Sequence, residues 1–498
     1  MDSWRRWLHL RQRPFLFKWV GAELHRPLHE MTDTSLAHIA AALPGYDAQA
    51  LHVDTALAFL QTLTQPVTHA VNVPLAQALG RVLADDVVSP ISVPPHDNSA
   101  MDGFAFRGAE LAPGQPLALR VVGTALAGAA WRGAVAPGEC VKITTGAVMP
   151  EGLDTVVPHE HVRQEAGPEG GEQIHIAPGA VRPGDNRRLR GEDLLAGQPA
   201  LQKAELLAPA AIGLLASLGF TEVRVLRRLR VAYFSTGDEI LSPGDAPREG
   251  AVYDSNRYTV TALLARLGCE VIDLGVVPDN PERLAAAFRT AAARADAIIT
   301  SGGVSTGEAD HTKAVMRSLG DVVFWGLAQR PGRPMAVGRI RRAPLEHAAS
   351  SSAFSNESTA SAGGTGASSY STDSKHHADA GTAVLFGLPG NPVATMVTFI
   401  TLVRPTLLRM MGARATPPVL LRAASESALR KKPGRTEYQR GVVTQRVDGR
   451  LSVRAAGQQG SGVLSSMVQA NGLIVLAHAQ GDVAAGDDVS VMMFDGVM

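Results

Sequence analysis

Cysteine is nearly absent: among 498 residues only Cys140 and Cys269 carry thiols, far apart and each within an apolar run of strand character. A disulfide framework is thereby excluded, and a reducing cytoplasm is the expected compartment. Net charge is also missing, with 47 basic against 47 acidic side chains, so no global field draws the protein to nucleic acid or to a membrane surface. Aromatic residues are 5% of the chain, and no apolar run of the sequence approaches the ~20 residues of a membrane-spanning helix. The expected class is a soluble multidomain enzyme, because a chain this long exceeds one core and implies about three or four domains of ~100–200 residues.

Glycine is what the chain has in quantity, and one glycine-rich loop is its most informative stretch. A short strand-like run, Ala297-Ile-Ile-Thr300, stops at Gly302-Gly303; Gly307 follows, and Glu308, Asp310 and Lys313 open a helix-like segment. Glycines at the carboxyl end of a strand let backbone N–H groups approach a phosphate closely. Carboxylates beside such a nest repel phosphate unless a divalent cation lies between, so the loop suits a phosphorylated ligand with Mg²⁺. For Asp310 alone a helix N-cap is the simpler reading.

The surrounding pattern divides the chain. Residues 1–33 are an N-terminal extension expected to be disordered, with Trp4, Trp7, Trp19, Phe15 and Phe17 among Arg5, Arg6, Arg11, Arg13 and Lys18. It reads as an interfacial helix or transit peptide, or as an upstream extension before a start near Met31; the last is favoured. Residues 34–69 read as helices, 70–88 with 198–227 as a linking domain, and 89–197 as a β-rich domain of short Pro- and Gly-punctuated strands. Strands then alternate with helices over 228–411, the signature of a doubly wound α/β domain. The Ser-, Ala- and Gly-rich stretch 343–381 interrupts it and is expected to be a disordered, functionally neutral insertion. Residues 412–498 return to short strands and turns, which suggests a small β-barrel. The fold class expected is therefore multidomain α/β plus β.

Several motifs agree with one another. Ser301-Gly-Gly-Val-Ser-Thr-Gly-Glu-Ala-Asp310 resembles the signature loop of proteins that bind molybdopterin. Asp97-Asn-Ser-Ala-Met-Asp-Gly-Phe-Ala105, Thr144-Thr-Gly-Ala147, Arg190-Gly-Glu-Asp193, Phe234-Ser-Thr-Gly-Asp-Glu239, Tyr253-Asp-Ser-Asn256 and Gly387-Leu-Pro-Gly-Asn-Pro392 resemble, in the same order, segments of the molybdopterin molybdenumtransferases (the MoeA and gephyrin E-domain family). The resemblance covers roughly residues 40–498.

It implies an enzyme that inserts molybdenum from molybdate into adenylated molybdopterin, releasing AMP with the help of Mg²⁺. By resemblance, Asp102, Thr145, Glu239, Asp279 and Asp310 are catalytic, with Glu239, Asp279 and Asp310 holding the metal. Arg188, Asp193, Gly302, Gly303, Ser305, Arg330, Arg333, Pro389, Pro392, Arg440 and Ser461 are the implied substrate contacts. A homodimer with a shared active site and contact with other proteins of the cofactor pathway are also implied; nucleic acid and membrane are not. Two departures stand out: the bacterial pattern usually has lysine at the positions of Arg330 and Gly326.

Other readings of the residues remain open here. Molybdopterin adenylylation uses a related Gly-Gly loop without the extra β domains, and a gephyrin-like scaffold needs no catalysis. His159-Glu-His161 sits in a strand-like stretch with both histidines on one face, but no third metal ligand is evident.

Overall fold

The computed structural model describes residues 35–167, 171–304, 310–342, 381–414 and 416–498. The N-terminal extension, nearly all of the Ser-rich insertion, Ser305 and Glu308 lie outside the described residues, as does the side chain of Asp310.

The α/β sheet runs, from one edge, Glu270–Val277, Arg230–Thr236, Ala297–Ser301, Thr382–Leu388, Pro334–Arg341, Gly320–Gly326. Its first four strands are parallel and its last two antiparallel. Both faces are covered, which is why these strands read as continuous apolar runs instead of alternating ones. Val231 and Tyr233 point to a core shared with Leu36, Phe59, Leu60, Val260, Phe399 and Leu402. Ala232 and Phe234 point to the other face, against Leu284 and Phe288 of the helix Pro281–Arg294.

Register fixes where the ligand side lies. Ser235 pairs with Ser301, Ser301 with Leu388, and Thr236 with Val277, so the strand ends finish at one level. The turns beginning at Gly237, Pro278, Gly302 and Pro389 therefore open on a common edge, where open α/β sheets bind ligands.

Two local expectations change. The helical stretch read across Thr34–Leu63 is two helices, Leu36–Ala41 and Val53–Leu63, because Pro44-Gly45 breaks it and Gly45 has φ +67°. The segment Pro74–Gly80, whose sequence reads as a short helix ending at a glycine cap, makes only a 3₁₀ turn, Leu75–Gln77. The strands on either side of the insertion pair directly: Arg341 pairs with Thr382, and Arg342 N–H donates to the Gly381 carbonyl at 2.7 Å.

One apolar helix is of membrane-spanning length, contrary to the expectation from the sequence. Pro392–Met410 is continuous for 19 residues and is apolar enough to cross a bilayer, yet 83% of its apolar window is buried within the protein. It is a core helix. Pro405, which has no N–H to give, is accommodated by a π turn at Phe399–Val403, where Arg404 N–H reaches back to the Phe399 carbonyl.

The β-rich region is a six-stranded sheet including Gly103–Phe106, Glu139–Ile143 and Thr155–Pro158. Period-two alternation sends Phe104, Phe106 and Val157 to one core and Ala105, Val156 and Ile143 to the other. Ala70–Pro74 pairs with Glu222–Leu226, so the two segments flanking that region meet again. At the C-terminus, Thr436–Gln445, Leu451–Ala455, Leu420–Ser425, Asp488–Met493 and Gly472–Leu476 close into a five-stranded barrel. Val393, Met396, Val397 and Ile400 of the core helix pack on Tyr438, Met467 and Leu473, seating the barrel against the α/β domain. Gln329–Arg330 adds a short parallel pairing to the barrel at Thr436 and Glu437.

At the amino ends of the strands, one ion pair ties the sheet together. Asp296 accepts from Arg227 Nη1 and Nη2 at 2.7 and 2.8 Å and from the Arg230 N–H at 2.9 Å. Burial pulls the Asp296 pKa upward, but these bonds together hold it below the usual aspartate value. A depressed folded pKa adds stability that is fully present above the unfolded aspartate value of about 4 and is lost as pH falls through the folded one. Asp296→Asn is expected to cost about 2 kcal/mol at neutral pH, since it removes the charge that half-buried Arg227 grips with two hydrogen bonds, and to flatten the acid limb of stability. Urea titrations at pH 7 and at about pH 3, inside the window where the contribution is lost, check both effects; an unchanged midpoint at pH 7 counts against the pair.

Candidate active site

The common edge of strand ends forms a cleft of about 1170 Å³ closed on one side by the barrel loop at Gln459–Ser461. Its floor is the turn at Gly302-Gly303. Gly302 has φ +95°, and a Cβ there would lie 2.3 Å from the Thr236 carbonyl oxygen. Gly303 has φ +65°, with Thr312 filling the space a side chain would need. Both glycines are therefore required by close packing as well as by backbone conformation.

Acids gather at one end. Glu239 and Asp279 line the cleft, as expected from the sequence. Thr236 Oγ1 donates to Asp279 Oδ1 at 2.6 Å, and the Asp279 N–H donates to Asp238 Oδ1 at 3.1 Å, so this strand end is oriented. The Glu239 carboxylate folds back over Gly237, where any Cβ would meet its oxygens at 2.5 Å. Asp254 and Asn256 also line the cleft; they went unassigned in the sequence, although their Tyr253-Asp-Ser-Asn256 motif was visible.

Guanidiniums gather at the other end: Arg330, Arg333 and Arg435 all line the cleft. Glu437, buried, receives Arg435 Nε at 2.8 Å and lies 3.9 Å from Arg330. Arg435 was missed from the sequence; its place three residues before Tyr438, in the loop leading into a barrel strand, carried no distinguishing signal.

Ser461 lines this end, and its carbonyl accepts the Val393 N–H at 3.1 Å. That bond uses one of the first-turn donors of the helix opened by Pro392, so this N–H is not free for a ligand. Pro389 lines the cleft, while Pro392 stands at the helix start just outside its lining.

Arg440 takes a different position from the one its motif suggested. It is 1% exposed, with Nε donating to Ser466 Oγ and Nη2 to the Gln458 and Gly460 carbonyls. Burial, and then Arg330 nearby, lower its pKa from the usual arginine value. Its donors hold the 458–460 backbone from beneath, so it shapes the loop bearing Ser461 and does not itself line the large cleft.

The lysine departure at Gly326 has a steric cause. A Cβ there would lie 2.5 Å from the Gln49 carbonyl oxygen, and Gly326 N–H donates to the Ala48 carbonyl at 2.7 Å. The 48–51 segment crosses where a lysine would start.

Asp102, Thr145, Arg188 and Asp193 are all exposed on the β-rich region and none lines this cleft. Asp102 Oδ1 accepts the Thr145 N–H at 2.6 Å and its hydroxyl at 2.9 Å, which lowers the Asp102 pKa. Exposed apolar side chains Met101, Leu189, Ile91 and Leu195 belong to the same loops. His159 and His161 stand on a 3₁₀ turn after Pro158 and not in a strand, with His159 edge-on to Phe104. Among the described residues no group of three or more acidic, histidine or cysteine side chains is placed to hold a metal ion by itself.

Comparison with known proteins gives a consistent result. Residues 51–219 match the MoeA N-terminal region (domain I and II), 232–409 a probable molybdopterin binding domain, and 422–494 the MoeA C-terminal region (domain IV). A molybdopterin molybdenumtransferase of Haemophilus influenzae is 38% identical over 85% of this chain and 94% of its own length. One from a Nostoc species is 34% identical over 84% and 88% respectively. The solved structure of a molybdopterin biosynthesis MoeA protein from Pyrococcus horikoshii covers 90% of this chain and all of its own, at a TM-score of 0.64 and 28% identity.

The steric reading of the floor makes a direct forecast. Gly302→Ala is expected to cost about 2 kcal/mol or more, because a strained φ and a clash with the Thr236 carbonyl add. A melting curve unchanged from the parent protein would show that this turn has room to spare.

Proposed function

The chain belongs to the MoeA family of molybdopterin molybdenumtransferases, transferases of molybdenum-cofactor biosynthesis, and from that premise we propose how its cleft divides the work. The substrate is adenylated molybdopterin, the metal donor is molybdate, and the products are AMP and the molybdenum cofactor. The observation carrying this reading is the split of charge in one cleft, with Glu239 and Asp279 at one end and Arg330, Arg333 and Arg435 at the other.

The acid end suits a pyrophosphate shared with Mg²⁺. Its donors are hard carboxylate oxygens, and Mg²⁺ is usually held by one or two carboxylates with substrate phosphates completing the shell. That fits a site where no complete protein ligand set is present among the described residues. Glu239 and Asp279 would hold the ion, joined by Asp310 from the helix after the glycine turn. When bound, Mg²⁺ supplies polarisation of the pyrophosphate and offsets charge on the departing phosphate. The Gly302-Gly303 backbone lets the phosphate approach, and Thr236 keeps the Asp279 carboxylate turned.

The arginine end suits the tetrahedral oxyanion. Guanidiniums bind such anions with charge and paired donors, and Ser461 adds a hydroxyl. Arg440 contributes by holding the Ser461 loop. Molybdenum transfer needs sulfur, and the pterin's own dithiolene provides it. Both protein thiols are buried and free, with burial pushing each pKa up to about 12, so neither is a candidate nucleophile.

Asp102, Thr145, Arg188 and Asp193 act, in this reading, in the cleft of a second copy. Their exposure, their distance from the cleft lining and the apolar rim of Met101, Leu189, Ile91 and Leu195 support a homodimer with shared sites. The free thiols support a reducing, cytoplasmic setting alongside other enzymes of the pathway.

Complementation tests the whole arrangement. Asp102→Asn and Glu239→Gln are each expected to abolish molybdate-dependent AMP release from adenylated molybdopterin. Unfolded and refolded together, the two variants should regain roughly a quarter of parental activity, because mixed dimers keep one intact site. No AMP release by the parent protein removes the proposed reaction. Inactive mixtures of dimeric variants remove the sharing.

A further inference from the structure

Two buried acceptors in the cleft wall have no hydrogen-bond donor among the described residues. Asp254 is 4% exposed and Asn256 8% exposed, and both line the cleft. Asp254 caps the 13-residue helix Ser255–Leu267, its Oδ1 accepting the Arg257 N–H at 3.0 Å, while its Oδ2 is shielded from bulk water and unpartnered. Asn256 Nδ2 donates to the Gly390 carbonyl at 2.7 Å, which fixes the amide orientation and leaves Oδ1 shielded and unpartnered. Buried polar atoms are almost always satisfied, and leaving one unpaired is costly, more so when it is charged. Two of them in one short stretch of cleft wall call for a ligand that donates.

The neighbouring surface says what shape that ligand has. Ile240–Leu241 and Val252–Tyr253 form a small parallel pair immediately before Asp254. Ile240 and Val252 line the cleft, and Val252 is 56% exposed. An apolar wall ending in two acceptors suits a flat heterocycle with an edge of adjacent N–H groups. Adenine is a poorer match, since its amino group sits beside an acceptor nitrogen. Mg²⁺ is also a poor match, because it gives up water reluctantly and these oxygens are shielded from water.

We propose that Asp254 and Asn256 read the N3–H and 2-amino edge of the substrate's pterin ring, with Ile240 and Val252 against its face. The inference rests on the pterin substrate proposed above and assigns the ring to the wall beside the acid end.

The test uses the full chain and three small probes: 2-amino-4-oxopteridine, 2,4-dioxopteridine and AMP. The parent protein should bind the amino compound about tenfold more tightly than the dioxo compound, in which an acceptor replaces the amino donor. Asp254→Asn keeps a competent helix cap but presents an amide. It should weaken 2-amino-4-oxopteridine by about tenfold, remove the preference over the dioxo compound and leave AMP affinity unchanged. Equal affinity of the parent for both pteridines, or no pteridine binding up to millimolar concentration, overturns the proposal without reference to any variant. So does an Asp254→Asn protein of normal melting temperature whose pteridine affinity is unchanged, or falls together with that for AMP. Molybdate-dependent AMP release with such an unchanged pteridine affinity removes only the pterin assignment. Asp254-dependent pteridine binding without AMP release sustains the assignment and removes the reaction.

Discussion

The cleft depends on how closely two strand ends approach. The Thr236 carbonyl occupies the place where any side chain on residue 302 would begin, so the chain must leave its strand through glycine there. That contact keeps the Ala297–Ser301 strand tight against Arg230–Thr236 and carries the Gly302-Gly303 turn to the same level as Gly237 and Pro278. The acids that follow those turns consequently face one space instead of being scattered along a surface. The barrel closes that space because the core helix beginning at Pro392 serves both bodies: its buried residues pack on the barrel, and its first turn binds the Ser461 carbonyl.

The two ends of the parallel sheet treat charge in opposite ways. At the amino ends Asp296 is held by a paired guanidinium and a backbone N–H, and its energy goes into stability. At the carboxyl ends Glu239 faces the cleft with no cation paired to it among the described residues, and Asp279 is oriented by a neutral threonine. Asp254 keeps an oxygen in reserve. A sheet edge with unneutralised acids is a poor stabilising device and a good ligand-binding one, since a bound cation and hydrogen-bond donors supply what the protein omits. The separate cluster of arginines keeps oxyanion capture away from those carboxylates.

Much of this was legible in the chain before any fold was seen. The parallel strands announced themselves by short apolar runs ending in Gly or Pro, and Glu239, Asp279, Gly302 and Gly303 followed from their places after those runs. Helix boundaries were less legible: one helical pattern over 34–63 concealed a break at Pro44-Gly45. Side-chain destinations were least legible. Arg440 and Arg435 lie five residues apart with similar neighbours, yet one is spent on loop carbonyls and the other lines the cleft. Pattern gives the face of a strand, but tertiary packing decides what a long side chain reaches. Gly326 is a similar case, since the crossing segment near Gln49 that excludes a side chain is remote in sequence.

Everything above turns on whether the acids at the strand ends bind phosphate through a divalent cation. The most direct measurement is AMP affinity by calorimetry, with and without Mg²⁺, in the parent protein and in Glu239→Gln. Mg²⁺ should tighten AMP binding by about tenfold or more in the parent and by little in the variant. AMP that binds the parent equally well without Mg²⁺, or a variant that keeps the full metal dependence, would contradict it.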